Sequence, residues 1–301
     1  NLDLLAARMK KWIVLRKKPN KDKKIAILFY NHSQGKQNIG ASYLNVFRSI
    51  MEILSRLKSE GYDVSETNLS EDQIKEMIIS TARNVGSWAP GELDKMLSSG
   101  GITRAPMDTY AGRFNALPEL FKKKTIEGWG VPDESKIMVK DGKFIVPSVR
   151  LGNVVLLPEP SRGWGDDPMK LYHSPEVYPH HQYIAVYQWL QKDFGADAMI
   201  HIGTHATYEW LPGKQCGLSP EDPPEVMTGD IPNLYPYIVD DIGEGVQAKR
   251  RGRGVVIDHL TPAVKKAGLY EEYAKLYDMI SSLGQSESIG SDTVRTKRIE
   301  I

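Results

Sequence analysis

Cysteine is nearly absent. Cys216 stands alone among 301 residues, so no internal disulfide and no all-cysteine metal site can form, and a reducing compartment is implied. An excess of one charge is also lacking: 39 basic against 38 acidic residues leave a net charge of +1. No global field therefore gathers nucleic acid or an anionic membrane. No run approaches the roughly 18 apolar residues of a membrane span, and the N-terminus carries no apolar signal stretch. The expected location is the cytoplasm. GKQ occurs at Gly35 and Gly213, but neither copy has the earlier glycine or the following Ser/Thr of a phosphate-binding loop. GEGVQA (243–248) matches GxGxxA, yet Asp258 follows too soon for the roughly 20-residue spacing of a dinucleotide site. No GxSxG elbow is present. ATP hydrolysis, nicotinamide chemistry and acyl transfer are not expected of this chain.

What is there is an ordinary globular composition, 41% hydrophobic, with a length that suggests about two domains. A helical, basic lead-in and linker (1–24) ends in KKPNKDKK. IAILFY (25–30) reads as a buried strand. The turn NHSQGKQNIG then leads to a helix in which Leu44, Phe47, Ile50, Met51, Leu54 and Leu57 recur at helical spacing, with Gly61 as its stop. YDV (62–64) resumes as a strand. Residues 70–125 read as mainly helical, with Ser70 and Gln73 as a capping pair. A second alternating set follows: strands at 153–160, 196–203, 234–240 and 254–259, with helices at 179–194 and 245–251. The expected fold is α/β, with parallel-sheet Rossmann-like layers and covering helices in two subdomains. The first is 25–150 with a helical insertion, and the second is 151–265. A C-terminal helix and loose tail occupy 266–301, and both ends read as cut from something longer.

The densest chemical signal is HIGTHATYEWLPGK. His201, His205 and Glu209 lie four residues apart and would share one face of a helix. Two neutral imidazoles and a carboxylate suit cobalt, zinc, nickel or iron and leave coordination positions open. Glu209 has a second reading as a general base. A structural reading stands beside both, in which Gly203 interrupts the helix, His201 closes a strand and Glu209 pairs locally. Tyr30, His32 and Lys36 fall where a strand ends and a helix begins, the ligand edge of an open parallel sheet, or else form a plain polar loop. SRGWGDDPMKLYHSPEVYPHHQY gathers Arg162, Trp164, His173, His180 and His181 as a binding loop would. Alternatively, Pro179 starts a helix and the paired histidines are surface groups. Lys249, Arg250, Arg251 and Arg253 form a basic cluster suited to carboxylates, with a solvated helix end or an RNA contact as the alternative.

Four stretches recur in order: YNHSQGKQNIGASYLNVFRSI, RGWGDDPMKLYHSPEVYPHHQY, HIGTHATYEWLPGKQCGLSPED and GDIPNLYPYIVDDIGEGVQAKRRGRGVVIDHLTP. Across residues 25–262 the chain resembles the large subunit of cobaltochelatase (the CobN type) and its relative, the large porphyrin-binding subunit of magnesium chelatase. The resemblance implies an internal piece of a much longer ligase subunit that binds a tetrapyrrole and a metal. Separate AAA+ partner subunits would use ATP-Mg, which fits the missing phosphate loop. The implied reaction is insertion of Co2+ into a corrinoid precursor of the hydrogenobyrinic acid a,c-diamide kind, in cobalamin biosynthesis. Insertion of Mg2+ into protoporphyrin IX is the alternative, and a non-catalytic tetrapyrrole-binding module is another.

The family's HxGTHG-x-x-EWLPGK stretch carries an active cavity onto His201, His205, Glu209 and Lys214. Ala206 replaces the second glycine and adds a Cβ where backbone would otherwise approach a ligand. The family's NNPGEGTQAKRR stands here as DDIGEGVQAKRR, which favours Gln247, Lys249, Arg250 and Arg251 over Asp240. RGWGDDPMKLYH and PHHQY look more like the cobalt branch. On this resemblance Tyr30, His32, Arg162, His173, His180, His181, Lys214, Gln247, Lys249, Arg250 and Arg251 contact the macrocycle. His201, His205 and Glu209 deliver the metal and accept the pyrrole N–H protons.

Overall fold

A computed structural model describes residues 2–31, 39–40, 44–65, 68–86, 89–162, 174–203, 207–236, 242–257 and 271–286. Contacts divide the chain into two units, Asn1–Asp258 and His259–Ile301. The first unit begins with α1 (Leu2–Lys17), β1 (Ile25–Phe29), α2 (Val46–Ser59), α3 (Glu71–Thr81) and α4 (Pro90–Ser98). Next come β2 (Thr103–Pro106), α5 (Met107–Asn115), α6 (Glu119–Trp129), β3 (Val139–Lys140), β4 (Lys143–Val146), β5 (Val149–Leu151) and β6 (Val154–Pro158). It continues with α7 (His181–Gln188), which runs into a π-helical turn Trp189–Phe194, then β7 (Ala198–Ile202) and a 3-10 turn Tyr208–Trp210. α8 (Pro223–Thr228), β8 (Asn233–Pro236), α9 (Ile242–Arg250) and β9 (Val255–Ile257) complete it. The second unit contributes α10 (Glu271–Ser286), which exposes Tyr273, Leu276, Tyr277 and Ile280.

The principal sheet has six strands in the order β5-β6-β1-β7-β8-β9, all parallel except β5. β1 is buried along its whole length, the condition under which a strand reads as a continuous apolar run. Successive side chains point to opposite faces. Ala26 and Leu28 pack towards α7 with Tyr183, Val186 and Leu190, whereas Ile25, Ile27 and Phe29 pack towards α2 and α3 with Ile50, Leu54 and Ile78. A smaller antiparallel sheet, β2-β4-β3, carries Ile145 into a separate apolar cluster with Val85, Met96 and Ile137.

Local signals explain several boundaries. Asn45 caps α2 by accepting from Arg48 N at 3.0 Å. Ser70 and Gln73 form the expected capping box, at 3.2 and 2.9 Å. YDV at 62–64 is not a strand. The five residues of β6 take the place beside β1, and Asp63 contributes only its carbonyl, which accepts from Asn153 N at 2.9 Å. The boundary expected near residue 150 does not separate two sheets either, because β1 from the first segment lies between β6 and β7 from the second. A parallel strand needs a crossover to its neighbour, so both segments were free to feed one sheet. No helix among the described residues is long and apolar enough to cross a membrane.

α1 and the turn before β9 are tied to α8 through Glu225, which is 3% exposed and meets Arg8 at 2.6 Å and Arg253 at 2.5 Å. The core of the sheet gives a direct stability test. Ile27 is fully buried, and Ile27→Ala is expected to lower the unfolding free energy by about 3 kcal/mol, read from urea denaturation. A loss below about 1 kcal/mol would be too small for a central strand.

Candidate functional site

The strand order places the crossing point of the chain at β1. From β1 the chain feeds β6 on one side, then crosses to β7 on the other. Connections that diverge in this way open a crevice at the carboxyl ends of the strands. Glu159, just beyond β6, and His201, near the end of β7, lie at that edge.

Glu159 is 2% exposed, and an acid so deeply placed needs partners. Its carboxylate accepts from Tyr183 Oη at 2.6 Å and from Tyr187 Oη at 2.9 and 2.7 Å. Thr207 donates its hydroxyl at 3.0 Å and its backbone N–H at 3.3 Å. His201 Nε2 lies 3.5 Å from Glu159 Oε2. Burial alone would raise this carboxyl, but the His201 contact and the two phenols more than offset it, and Glu159 sits below its ordinary range. Burial, with the charge of Glu159 next, pushes Tyr183 and Tyr187 well above the usual phenol value. They remain donors at any ordinary pH.

On the far side of His201, Nδ1 lies 2.8 Å from Asn233 Oδ1. The Asn233 amide nitrogen donates to Tyr208 Oη at 2.6 Å and to the Gly252 carbonyl at 3.1 Å. The imidazole is packed against Tyr208 and stacked on Tyr235, with centroids 4.9 and 5.9 Å away. Tyr235 in turn donates to Glu209 Oε1 at 3.0 Å. Glu209 and His201 therefore belong to one buried group, but not on one helical face: His201 is in β7 and Glu209 is in the 3-10 turn. Gly203 ends the strand and a new turn begins, which separates residues that a continuous helix would align. Among the described residues no three His, Cys, Asp or Glu side chains converge as a metal-ligand set. His205 and Ala206 lie outside the described residues.

The basic cluster is divided. Arg251, 2% exposed, turns inward and donates from Nε to the Glu209 carbonyl at 2.7 Å. Its terminal nitrogens reach the carbonyls of Leu211, Pro212, Gly213 and Lys214. Burial lowers its pKa, opposed by Asp222 and Glu209. A guanidinium committed to five backbone carbonyls holds the Glu209–Lys214 loop and has no donor left for a ligand carboxylate. Lys249 and Arg250 remain exposed. The GEGVQA glycines lie inside α9 and form no phosphate-cradling loop.

The paired histidines and Arg162 are also framework. His180 caps α7, its Nδ1 accepting from Tyr183 N at 3.2 Å while Nε2 donates to the Ser161 carbonyl at 2.7 Å. Burial, the principal cause, holds it at about 4. His181 Nε2 donates to the Gly130 carbonyl at 2.9 Å, and its Nδ1 meets Tyr110 Oη at 2.7 Å. Burial lowers it too. Arg162 donates to the carbonyls of Trp210 and Ser174, both at 2.9 Å. Each of the three is engaged by protein carbonyls or a helix end. Tyr30 is half-buried at the rim, Lys214 is exposed, and Gln247 is half-buried with a 3.5 Å contact to Gln215. His32, Lys36, Trp164, His173, Asp240 and Asp258 lie outside the described residues. Sequence reasoning missed Glu159, Asn233 and the four buried tyrosines. The one local signal was an acid directly after the apolar run VVLLP.

A family profile described as CobN/Magnesium Chelatase matches residues 1–301. The chain belongs to this family. The aerobic cobaltochelatase subunit CobN of Pseudomonas aeruginosa is 34% identical over 279 residues, 92% of this chain and 22% of that protein. The magnesium-chelatase subunit ChlH of Oryza sativa subsp. japonica, a chloroplastic protein, is 33% identical over 292 residues, 96% of this chain and 20% of that protein. A solved structure of the catalytic subunit of cobaltochelatase from Mycobacterium tuberculosis matches with a TM-score of 0.71 at 30% identity, covering 99% of this chain and 25% of that one. The chain thus spans between a fifth and a quarter of the length of these relatives. In this CobN/magnesium chelatase segment His201 lies near the end of β7 and Glu209 in the 3-10 turn, and their buried partners come from the residue after β6, from α7 and from β8.

Two outcomes test this geometry. A Cβ at Gly252 would lie 2.1 Å from Tyr208 Oη and 2.7 Å from the Ala248 carbonyl. Gly252→Ala is therefore expected to cost about 2 kcal/mol in thermal unfolding, and an unchanged melting temperature would refute the close approach. The second outcome concerns acid. His180 titrates at about 4 in the fold against an ordinary 6.5, so the unfolded chain binds its proton first. Its contribution is complete above pH 6.5 and is lost as pH falls towards 4, by up to about 3 kcal/mol. His180→Asn, which keeps a cap acceptor, should flatten that slope in denaturation measured across the window.

Proposed function

We propose that this chain is the tetrapyrrole- and metal-handling segment of the large subunit of an ATP-dependent chelatase. The reaction replaces two pyrrole N–H protons with one divalent metal, which is a substrate. A base within reach of the ring is needed for each proton. The observation that carries the reading is Glu209: a wholly buried acid on the family's cavity motif, oriented by Tyr235 Oη and held in its loop by Arg251. We assign it the role of a proton acceptor.

The exposed Lys214, Lys249 and Arg250 and the half-buried Gln247 supply donors suited to the carboxylate arms of a macrocycle, with Tyr30, His32, His173 and His205 as further contacts. The cobalt reading, Co2+ entering a corrinoid precursor, is favoured by the cobalt-branch character of RGWGDDPMKLYH. Insertion of Mg2+ into a porphyrin is the second reading, because identities of 34% and 33% to the two kinds of relative do not separate them. AAA+ partner subunits would spend ATP-Mg to close the cavity, a gating role and not chemistry done by ATP on the ring. The near absence of cysteine is consistent with a cytoplasmic setting.

The test places Glu209→Gln in the longer parent subunit with its ATPase partners. Metal insertion should fall at least about 100-fold while affinity for the metal-free macrocycle, read by fluorescence quenching, stays within about threefold. Undiminished insertion would remove Glu209 from the chemistry. Parallel assays with Co2+ and Mg2+ decide between the two branches.

A further inference from the structure

We propose that Asn233 fixes His201 through its Nδ1–H, with Nε2 closed in beside the occupied Glu159 carboxylate, so that His201 serves as a fixed strut of the site and not as a ligand to the metal. This deepens the chelatase reading and rests on it only for the metal being a substrate.

The argument starts from a backbone carbonyl. Gly252 O can only accept, and the Asn233 side-chain atom 3.1 Å from it must be the amide nitrogen. The amide cannot flip, so the atom 2.8 Å from His201 Nδ1 is Oδ1, an acceptor. The proton between them belongs to Nδ1. A carbonyl on β9's approach thereby fixes a tautomer on β7 through one side chain of β8.

An Nδ1–H bond of this kind is also how many ligand histidines are oriented, so the surroundings of Nε2 decide. Nε2 faces Glu159 Oε2 and Tyr187 Oη, each at 3.5 Å. Two carboxylate oxygens offer about four lone-pair directions. Tyr183, Tyr187 and both donors of Thr207 already point at them. The ring is 2% exposed and covered by Tyr208 and Tyr235. A metal at bonding distance from Nε2, about 2 Å, would have to enter between imidazole and carboxylate and displace the Tyr187 hydroxyl. Asn233 is accordingly a positioning residue.

The experiment uses the whole chain labelled with 15N-histidine, with His201→Gln to assign its ring signals and Zn2+ as a diamagnetic probe. The expected spectrum shows a proton on His201 Nδ1 and no movement of its ring nitrogens on adding Zn2+. Asn233→Ala should release the tautomer and shift both nitrogens. Either an unprotonated Nδ1 in the unmodified chain or a Zn2+-induced coordination shift at Nε2 overturns the proposal. If Asn233→Ala fails to fold, those two readings on the unmodified chain still decide it. Binding of a carboxylated free-base porphyrin, followed by absorbance on the same sample, separates the two levels. No porphyrin binding with an unmoved His201 counts against the chelatase reading alone, and porphyrin binding with Zn2+ on Nε2 counts against the strut alone.

Discussion

Glu159 is an acid buried where β6 ends, and the neighbouring elements are arranged around the need to satisfy it. Two phenols from α7, a hydroxyl and an N–H from the residue preceding the 3-10 turn, and an imidazole from β7 converge on one carboxylate. Each buried donor left without its partner costs on the order of 1–3 kcal/mol, so the elements cannot drift independently. The carboxylate thereby sets the height of α7 over the sheet. It also sets the start of the turn that bears Glu209.

Arg251 does for the following loop what Glu159 does for the strand ends. Five carbonyls in a short, irregular stretch would otherwise have to find water or each other. One planar guanidinium gathers them with a geometry that a lysine ammonium cannot reproduce. Asp222 completes the loop from the other side, accepting from Lys214 N at 3.1 Å and Ser219 N at 2.6 Å. Gly213 leaves room for it, since a Cβ there would sit 2.3 Å from Asp222 Oδ1. The exposed Lys214 is therefore presented on a fixed backbone.

The sheet was legible where periodicity alone decides. IAILFY reads as a buried strand, and Ile25–Phe29 is one, while Ile50 and Leu54, at helical spacing, lie on the buried side of α2. The Ser70 capping pair was legible because its bonds are local. What sequence could not supply was direction. Arg251 sits among four basic residues and reads as part of a positive surface, yet the turn after α9 points it inward. His180 and His181 read as binding groups because their tertiary partners, Ser161, Gly130 and Tyr110, are distant in sequence or chemically plain. YDV failed as a strand because pairing beside β1 is a competition that a longer apolar run wins. Membership of the family was readable from several long motifs in order, whereas the function of each motif residue depended on the side to which it turned.

That distinction matters for how the site works. Residues at the strand ends, Glu159, His201 and Asn233, are held by partners on three different elements and have little freedom to follow a ligand. Residues on the loops and on α9, such as Lys214, Lys249 and Arg250, keep solvent-facing ends and can adapt. A macrocycle with several carboxylate arms calls for adaptable cations at its periphery, where a mismatch costs little. Proton acceptance calls for a base whose position does not change as the ring distorts. On the proposed reading the fold separates these demands by depth: the sheet and Arg251 fix the acid, and the exposed Lys214, Lys249 and Arg250 supply the charge.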